Sequence, residues 1–190
     1  MTLISLGILV MAFGASLLKG RPFGIKALKA IFIVAAAAIF SLLIYYSYQQ
    51  YAVWQSAEPT KFLLPPYQSA NYFIKYIGAR FFAPYFISLL AGIIFFFIAR
   101  KMNKKYEERF FEQEELWLGA LALFIVGWPG LLFYFIGLIL IYLIIHTLYF
   151  ILNTSSVRIS LYYWWLPLAI FVILINKWLM GLGVWRLLKI

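Results

Sequence analysis

The sequence predicts an all-α integral membrane protein with about six transmembrane helices. Of its 190 residues, 66% are hydrophobic and 21% are aromatic, and the mean hydropathy is +0.95. Soluble domains are roughly 45–50% apolar, and a water-soluble fold could not bury the excess found here. Several apolar runs also approach or exceed the roughly 20 residues that a helix needs to cross a bilayer. We therefore expect a single transmembrane domain whose main partner is the lipid bilayer.

Two residue types are missing from the sequence. It has no cysteine, which excludes disulfides, thiolate metal ligands and cysteine nucleophiles. It also has no aspartate, so any carboxylate chemistry depends on glutamate. The acidic residues are Glu58, Glu107, Glu108, Glu112, Glu114 and Glu115. Because the motifs of phosphate-binding loops, serine hydrolases and helical zinc proteases are also missing, we expect no cofactor and no bound metal.

The net charge of +10 comes from basic residues that lie beside apolar runs. In such positions Lys and Arg hold loops on the cytoplasmic side of a membrane. We interpret the charge as a topology signal and expect no nucleic-acid partner. Lys19, Arg21, Lys26 and Lys29 follow the first apolar run, whereas a cleavable signal peptide carries its positive charge before that run. The first helix is therefore expected to be retained.

The first half of the sequence predicts three spanning helices. Apolar runs at 3–18 and 30–51 give the first two, and a run at 81–99 gives the third. The second run ends among several tyrosines, which are typical of the headgroup region of a membrane.

The segment between the second and third spans predicts a surface helix. Pro65-Pro66 and nearby charges argue against a further span. At 67–80, apolar and aromatic residues recur at helical spacing beside Lys75 and Arg80. This pattern indicates a helix lying along the membrane interface.

Residues 100–115 form a compact charged stretch and predict a helical extension into water. Lys104 and Glu108 are one turn apart there, which would allow them to pair. With basic regions inside, the N-terminus and the 52–80 segment are outside, and Arg158 is inside.

The apolar run at 116–152 is too long for one span. A helix of that length would measure about 55 Å, nearly twice the hydrocarbon thickness. Gly127-Trp128-Pro129-Gly130 supplies a break, because proline cannot continue a helix and glycine tolerates a turn. The run therefore predicts two spans, at 116–127 and 131–152. A sixth span is predicted at 161–180.

Two groups of residues could carry chemistry. Glu114 and Glu115 lie where a charged helix enters the bilayer, and crowded carboxylates there could share a proton. The alternative is a solvated helix end whose acids balance neighbouring cations. His146 is the only histidine, and an ionisable group inside a membrane is a candidate proton relay. The alternative for His146 is a neutral side chain that is hydrogen-bonded between helices.

Residues 112–130 resemble a degenerate type IV prepilin peptidase. In that family of intramembrane aspartyl proteases, a Gly-x-Gly-Asp motif leads into a helix that ends in a Gly-Trp-Pro-like turn. Here Glu112-Gln113-Glu114-Glu115 stands at the motif position and Gly127-Trp128-Pro129-Gly130 at the turn. Two weaker similarities are Glu58 before Leu63-Leu64-Pro65-Pro66, at the family's first aspartate, and Arg158-Ile159-Ser160-Leu161, near its Pro-Phe-Gly-Pro segment.

The resemblance implies a peptidase-like helix arrangement in a prokaryotic inner (cytoplasmic) membrane, with Glu115, Glu114 and Glu58 as candidate catalytic residues. Both aspartates would be glutamates and both motif glycines are lost, so we favour a non-catalytic scaffold or partner in an envelope or pilus assembly. One alternative is an active peptidase, which requires Glu58 and Glu115 to meet within about 6 Å. The other is a protein that handles small solutes or lipids through a polar cavity near His146.

Overall fold

A computed structural model describes residues 2–18, 24–107, 111–152 and 161–181. The predicted all-α class is confirmed, because every regular element in these ranges is a helix. The α-helices are α1 (Thr2–Leu18), α2 (Ile25–Ser56), α3 (Ala70–Ile77), α4 (Ala83–Lys105), α5 (Gln113–Val126), α6 (Gly130–Ile151), α7 (Trp165–Leu174) and α8 (Asn176–Leu179). A 3-10 turn occupies Thr60–Leu63 and a π-helical turn occupies Gly78–Phe82.

Three long apolar helices identify the chain as compatible with an integral membrane protein. They are α2 with 32 residues, the continuous helix Ala70–Lys105 with 36, and α6 with 22. At 1.5 Å per residue each exceeds a hydrocarbon core of about 30 Å. The helices α5 and α7 have only 14 and 10 residues, about 21 Å and 15 Å. The described residues therefore show three helices long enough to span a membrane, and they do not show six spans.

The predicted surface helix at 67–80 is not a separate element. The helix begins at Ala70 and continues through the π-helical turn into α4. Pro84 explains the π-helical turn, because proline cannot donate to the preceding turn and its ring clashes with the carbonyl four residues earlier. An inserted residue relieves that conflict without ending the helix.

The charged segment 100–115 is not one continuous helix, because α4 ends at Lys105 and α5 begins at Gln113. Tyr106 has left the helical region, and Glu107 has a φ of 54°. The physical reason is a side-chain contact: buried Asn103 binds the backbone of Phe111 and turns the chain back. The predicted pairing of Lys104 with Glu108 lies outside the described residues.

The predicted break in the long apolar run is confirmed. Helix α5 ends at Val126 and α6 begins at Gly130. Gly127 has a φ of 75°, a conformation that glycine adopts without steric cost. The N–H of Trp128 also donates to the carbonyl of Pro84, 3.3 Å away, which ties this turn to the first turn of α4.

Helix α5 is the centre of the fold. It contacts α2, α4, α6 and α7, and every residue from Leu118 to Ile125 is buried. A helix that is apolar on all sides is expected in such a position. On α4, Gly92 faces the α5 backbone so closely that an added Cβ would lie 2.9 Å from the carbonyl oxygen of Ala120. Glycine therefore permits α4 and α5 to pack against each other.

Replacing Gly92 with alanine is expected to destabilise the protein. The new methyl group meets the backbone of Ala120 rather than a flexible side chain, and overpacking of this kind costs about 1–3 kcal/mol. The melting midpoint in detergent, followed by size-exclusion chromatography after heating, should fall by roughly 2–4 °C per kcal/mol. Gly7→Ala is the matched control, since an added Cβ at Gly7 meets nothing within 4 Å. Equal midpoints for the two variants would contradict the close approach.

Candidate functional site

One end of the helix bundle carries a cavity surrounded by cations. The start of α2, the end of α4 and the start of α5 meet there around a volume of about 430 Å³. Its wall includes the side chains of Lys29, Arg100 and Lys104. The two basic regions that the sequence analysis placed inside are therefore at the same end of the molecule.

The remaining wall of this basic cavity is partly polar and partly apolar. Asn103 and Gln113 provide amide groups, and the apolar part consists of Ile25, Phe96, Leu116 and Trp117. The ammonium nitrogen of Lys29 lies 5.3 Å from the centre of the Trp117 ring, within the range of a cation–π interaction. This contact holds the first turns of α2 against α5.

The cations of the cavity have no acidic partner among the described residues. Lys29, Arg100 and Lys104 are exposed, and within ranges 24–107 and 111–152 none of them forms an ion pair. Glu112 and Glu114 flank Gln113 in the sequence but do not line the cavity. The site is therefore electropositive.

Asn103 fixes the floor of the cavity. Its amide nitrogen donates to the carbonyl of Phe111 at 2.6 Å, and its amide oxygen accepts from the N–H of Phe111 at 3.0 Å. The side chain is 4% exposed. A buried amide that satisfies both backbone groups of one residue is a strong structural constraint, and it sets where α5 begins.

Glu115 is buried at the start of α5 rather than open to solvent. It is 1% exposed, and its Oε2 accepts a hydrogen bond of 2.9 Å from the N–H of Glu112. This is the N3-to-N-cap contact of a capping box, in which an acidic side chain satisfies a backbone donor at the helix start. Glu114, by contrast, is half-buried. The structure therefore gives Glu115 a capping role.

The structure does not bring Glu58 near Glu115. Glu58 is exposed and follows the last residue of α2, whereas the first turns of α2 contact the first turns of α5. The length of α2 from Lys29 to Ser56 separates the two ends by about 40 Å. An aspartyl-protease-like pair needs carboxylates within about 6 Å, so these two glutamates do not form one within this chain.

His146 lies on the outer surface of α6. Its side chain is exposed, and its ring centre is 5.9 Å from that of Tyr142 on the preceding turn. It does not line the basic cavity.

The opposite end of the bundle is an aromatic cluster. Trp54 near the end of α2 packs on three rings of the 70–77 helix, those of Tyr72, Phe73 and Tyr76, with centroid distances of 6.4, 5.3 and 4.7 Å. The guanidinium of Arg80 lies 5.8 Å from the Tyr76 ring. Such rings are characteristic of a membrane–water interface.

No protein-family model, no curated protein and no solved structure matches this chain.

The basic cavity was not predicted from the sequence, in which Lys29, Arg100 and Lys104 were interpreted only as topology signals. The available signal was their spacing, because Arg100 and Lys104 are one helical turn apart and project from the same face of α4. The bond of Asn103 to Phe111 left no comparable signal in the sequence.

Replacing Asn103 with alanine is expected to release the start of α5. The substitution leaves the partly buried N–H and carbonyl of Phe111 without their partner, which costs at most about 1–3 kcal/mol for each group. Hydrogen exchange followed by mass spectrometry should then show faster exchange at the Phe111 amide, by roughly tenfold for each 1.4 kcal/mol.

Gln49→Ala is the matched control for this experiment, because Gln49 makes only an exposed side-chain bond to Tyr45. Unchanged exchange at Phe111 in Asn103→Ala would show that the contact does not hold the loop.

Proposed function

We propose that this chain is a non-catalytic integral membrane protein that acts as a scaffold or partner in a prokaryotic envelope assembly, such as a pilus system. The observation that carries the proposal is the state of Glu115, the residue at the position of the catalytic aspartate in the prepilin-peptidase-like segment. It is 1% exposed and caps its own helix. A general acid or base must reach the proton that it transfers, so a sealed capping carboxylate suits a structural role better.

The distance between the candidate carboxylates also supports a non-catalytic role. Glu58 lies at the far end of α2 from Glu115, as the length of that helix requires. The peptidase alternative would need a large rearrangement of a helix that packs against both α5 and the π-helical turn. For the alternative of solute or lipid handling near His146, the outward position of that side chain offers no support.

We further propose that six helical segments are embedded in an inner (cytoplasmic) membrane with the N-terminus outside. The meeting of Lys29 with Arg100 and Lys104 at one end supports this topology, since cytoplasmic loops concentrate Lys and Arg. Helices α5 and α7 are too short to span alone. In this proposal α5 is enclosed by its neighbours, whereas α7 packs one face on α5 and leaves Phe171 and Leu174 exposed. Short buried segments are tolerated in a membrane when protein surrounds them.

The topology predicts which engineered cysteines an impermeant thiol reagent can reach. The native chain has no cysteine, so single substitutions give a clean signal. In intact cells Glu58→Cys should be labelled and Lys104→Cys should not, although both positions are exposed on the protein surface. Permeabilised cells provide the control, because both variants should then react. Labelling of Lys104→Cys in intact cells would indicate that the protein has the opposite orientation in the membrane.

Absence of peptidase activity is the central prediction of the scaffold proposal. Purified protein in lipid or detergent is incubated with a pilin precursor, beside an active prepilin peptidase as positive control. We expect no leader cleavage, because Glu58 lies at the far end of α2 from Glu115, so these two carboxylates cannot activate one water together. Glu115→Gln and Glu58→Gln are tested in parallel. Cleavage by the parent chain that both substitutions abolish would sink the proposal and establish a glutamate enzyme.

A further inference from the structure

The three cations around the basic cavity repel one another unless an anion lies between them. Lys29 comes from α2, and Arg100 and Lys104 come from the last turns of α4. Among the described residues, no carboxylate lines the cavity and none pairs with these side chains. Like charges brought to one site lower stability, and a bound anion reverses the sign of that contribution.

Membrane topology alone does not explain why Lys29, Arg100 and Lys104 surround one cavity. The positive-inside rule requires basic residues on one side of the membrane, but it does not require them to share one cavity. Lys26, Lys101 and Lys105 satisfy the rule equally well, and they are exposed without lining the cavity. Among the described residues, two sets of three cations therefore lie at the same end, and the set of Lys29, Arg100 and Lys104 is gathered around a concave site.

The chemistry of the wall favours a phosphate-type anion. The guanidinium of Arg100 presents paired donors that match phosphate oxygens, while Lys29 and Lys104 supply compact charges. The amide of Gln113 adds a polar group at the rim. The volume of about 430 Å³ lies within the range of small-ligand sites.

The apolar part of the wall favours a phosphate carried by a lipid headgroup over a free phosphate ion. Ile25, Phe96 and Leu116 lie beside the cations, at the point where apolar helices give way to charged ends. A basic site between helices at this depth is the arrangement that binds anionic lipid headgroups. A free phosphate ion would use the cations and leave the apolar wall without a contact.

We propose that the basic cavity between α2, α4 and α5 is a binding site for a phosphate-type anion, presented by the headgroup of an anionic phospholipid or as free inorganic phosphate. This site does not depend on the scaffold function. An occupied site would link the start of α2 to the end of α4 through a shared anion, next to the loop that Asn103 holds in place.

The test compares two triple variants that remove the same charge from the same end of the protein. The site variant combines Lys29→Gln, Arg100→Gln and Lys104→Gln, and the matched control combines Lys26→Gln, Lys101→Gln and Lys105→Gln. Each protein is purified in neutral phosphatidylcholine nanodiscs and titrated with phosphatidylglycerol. Native mass spectrometry then counts retained lipids, and the melting midpoint is measured in parallel.

We expect the parent and the control variant to retain phosphatidylglycerol and to gain thermal stability from it. The site variant should lose apparent affinity by about tenfold or more, since each basic residue near an anionic surface contributes substantially. Equal weakening in both triple variants would attribute binding to general surface charge and overturn the site. Equal retention in all three proteins would overturn it as well.

A second arm separates the two sources of the anion. Inorganic phosphate is added to the parent and both variants in phosphatidylcholine nanodiscs without anionic lipid. Stabilisation of the parent and control that the site variant lacks identifies free phosphate as a ligand. A response to phosphatidylglycerol alone assigns the site to a lipid headgroup.

A conservative variant distinguishes loss of the binding site from loss of folding. Arg100→Lys keeps the charge but removes the paired donors of the guanidinium. It should remain monodisperse and bind phosphatidylglycerol with an affinity between those of the parent and the site variant. Two results together would exclude the cavity as the binding site. Arg100→Lys would bind phosphatidylglycerol as tightly as the parent, and the well-folded site variant would also bind it normally.

Discussion

Burial of α5 on all sides is the constraint on which the rest of the structure depends. A helix of 14 residues contributes few backbone hydrogen bonds of its own, and it is buried from Leu118 to Ile125 although Gln113 at its start is exposed. Each end leaves backbone groups that need partners. At the start, the carboxylate of Glu115 accepts from the N–H of Glu112. Just beyond the other end, the N–H of Trp128 donates to the carbonyl of Pro84, which ties the turn after α5 to α4. Helix α4 therefore contacts the chain next to both ends of α5, through Asn103 and Pro84.

Close packing around α5 depends on small residues placed opposite large ones. Gly92 lets the α4 backbone approach Ala120, and Gly119 leaves room for the rings of Phe95 and Trp165. On the α2 side, the ring of Phe124 packs against Phe32 and Phe40 at 5.9 and 6.2 Å. In a bilayer the hydrophobic effect does not drive helices together, so association rests on van der Waals packing of this kind. Glycine contributes by shortening the distance over which that packing acts.

The sequence predicted features that depend on local chemistry and missed those that depend on distant contacts. The apolar runs of α2 and α6 and the break at Gly127-Trp128-Pro129-Gly130 follow from composition and backbone preference, and they were predicted. The continuity of 70–105 was not, because a π-helical turn before Pro84 allows a helix to pass a residue that normally ends it. Glu115 was identified as a candidate, but its burial depends on how α5 packs against distant helices, which the local sequence does not determine. The basic cavity arises only when the ends of α2 and α4 meet.

The unequal lengths of the helices determine how the protein responds to membrane thickness. The helix of 36 residues measures about 54 Å, far longer than a hydrocarbon core of about 30 Å. Helix α5 is shorter than that core, but protein rather than lipid surrounds it. Hydrophobic mismatch is therefore borne by the long outer helices, which can tilt or extend into the headgroups at modest cost. Helix α5 does not contact the lipid and need not tilt with the outer helices, so the same core can be maintained in bilayers of different thickness.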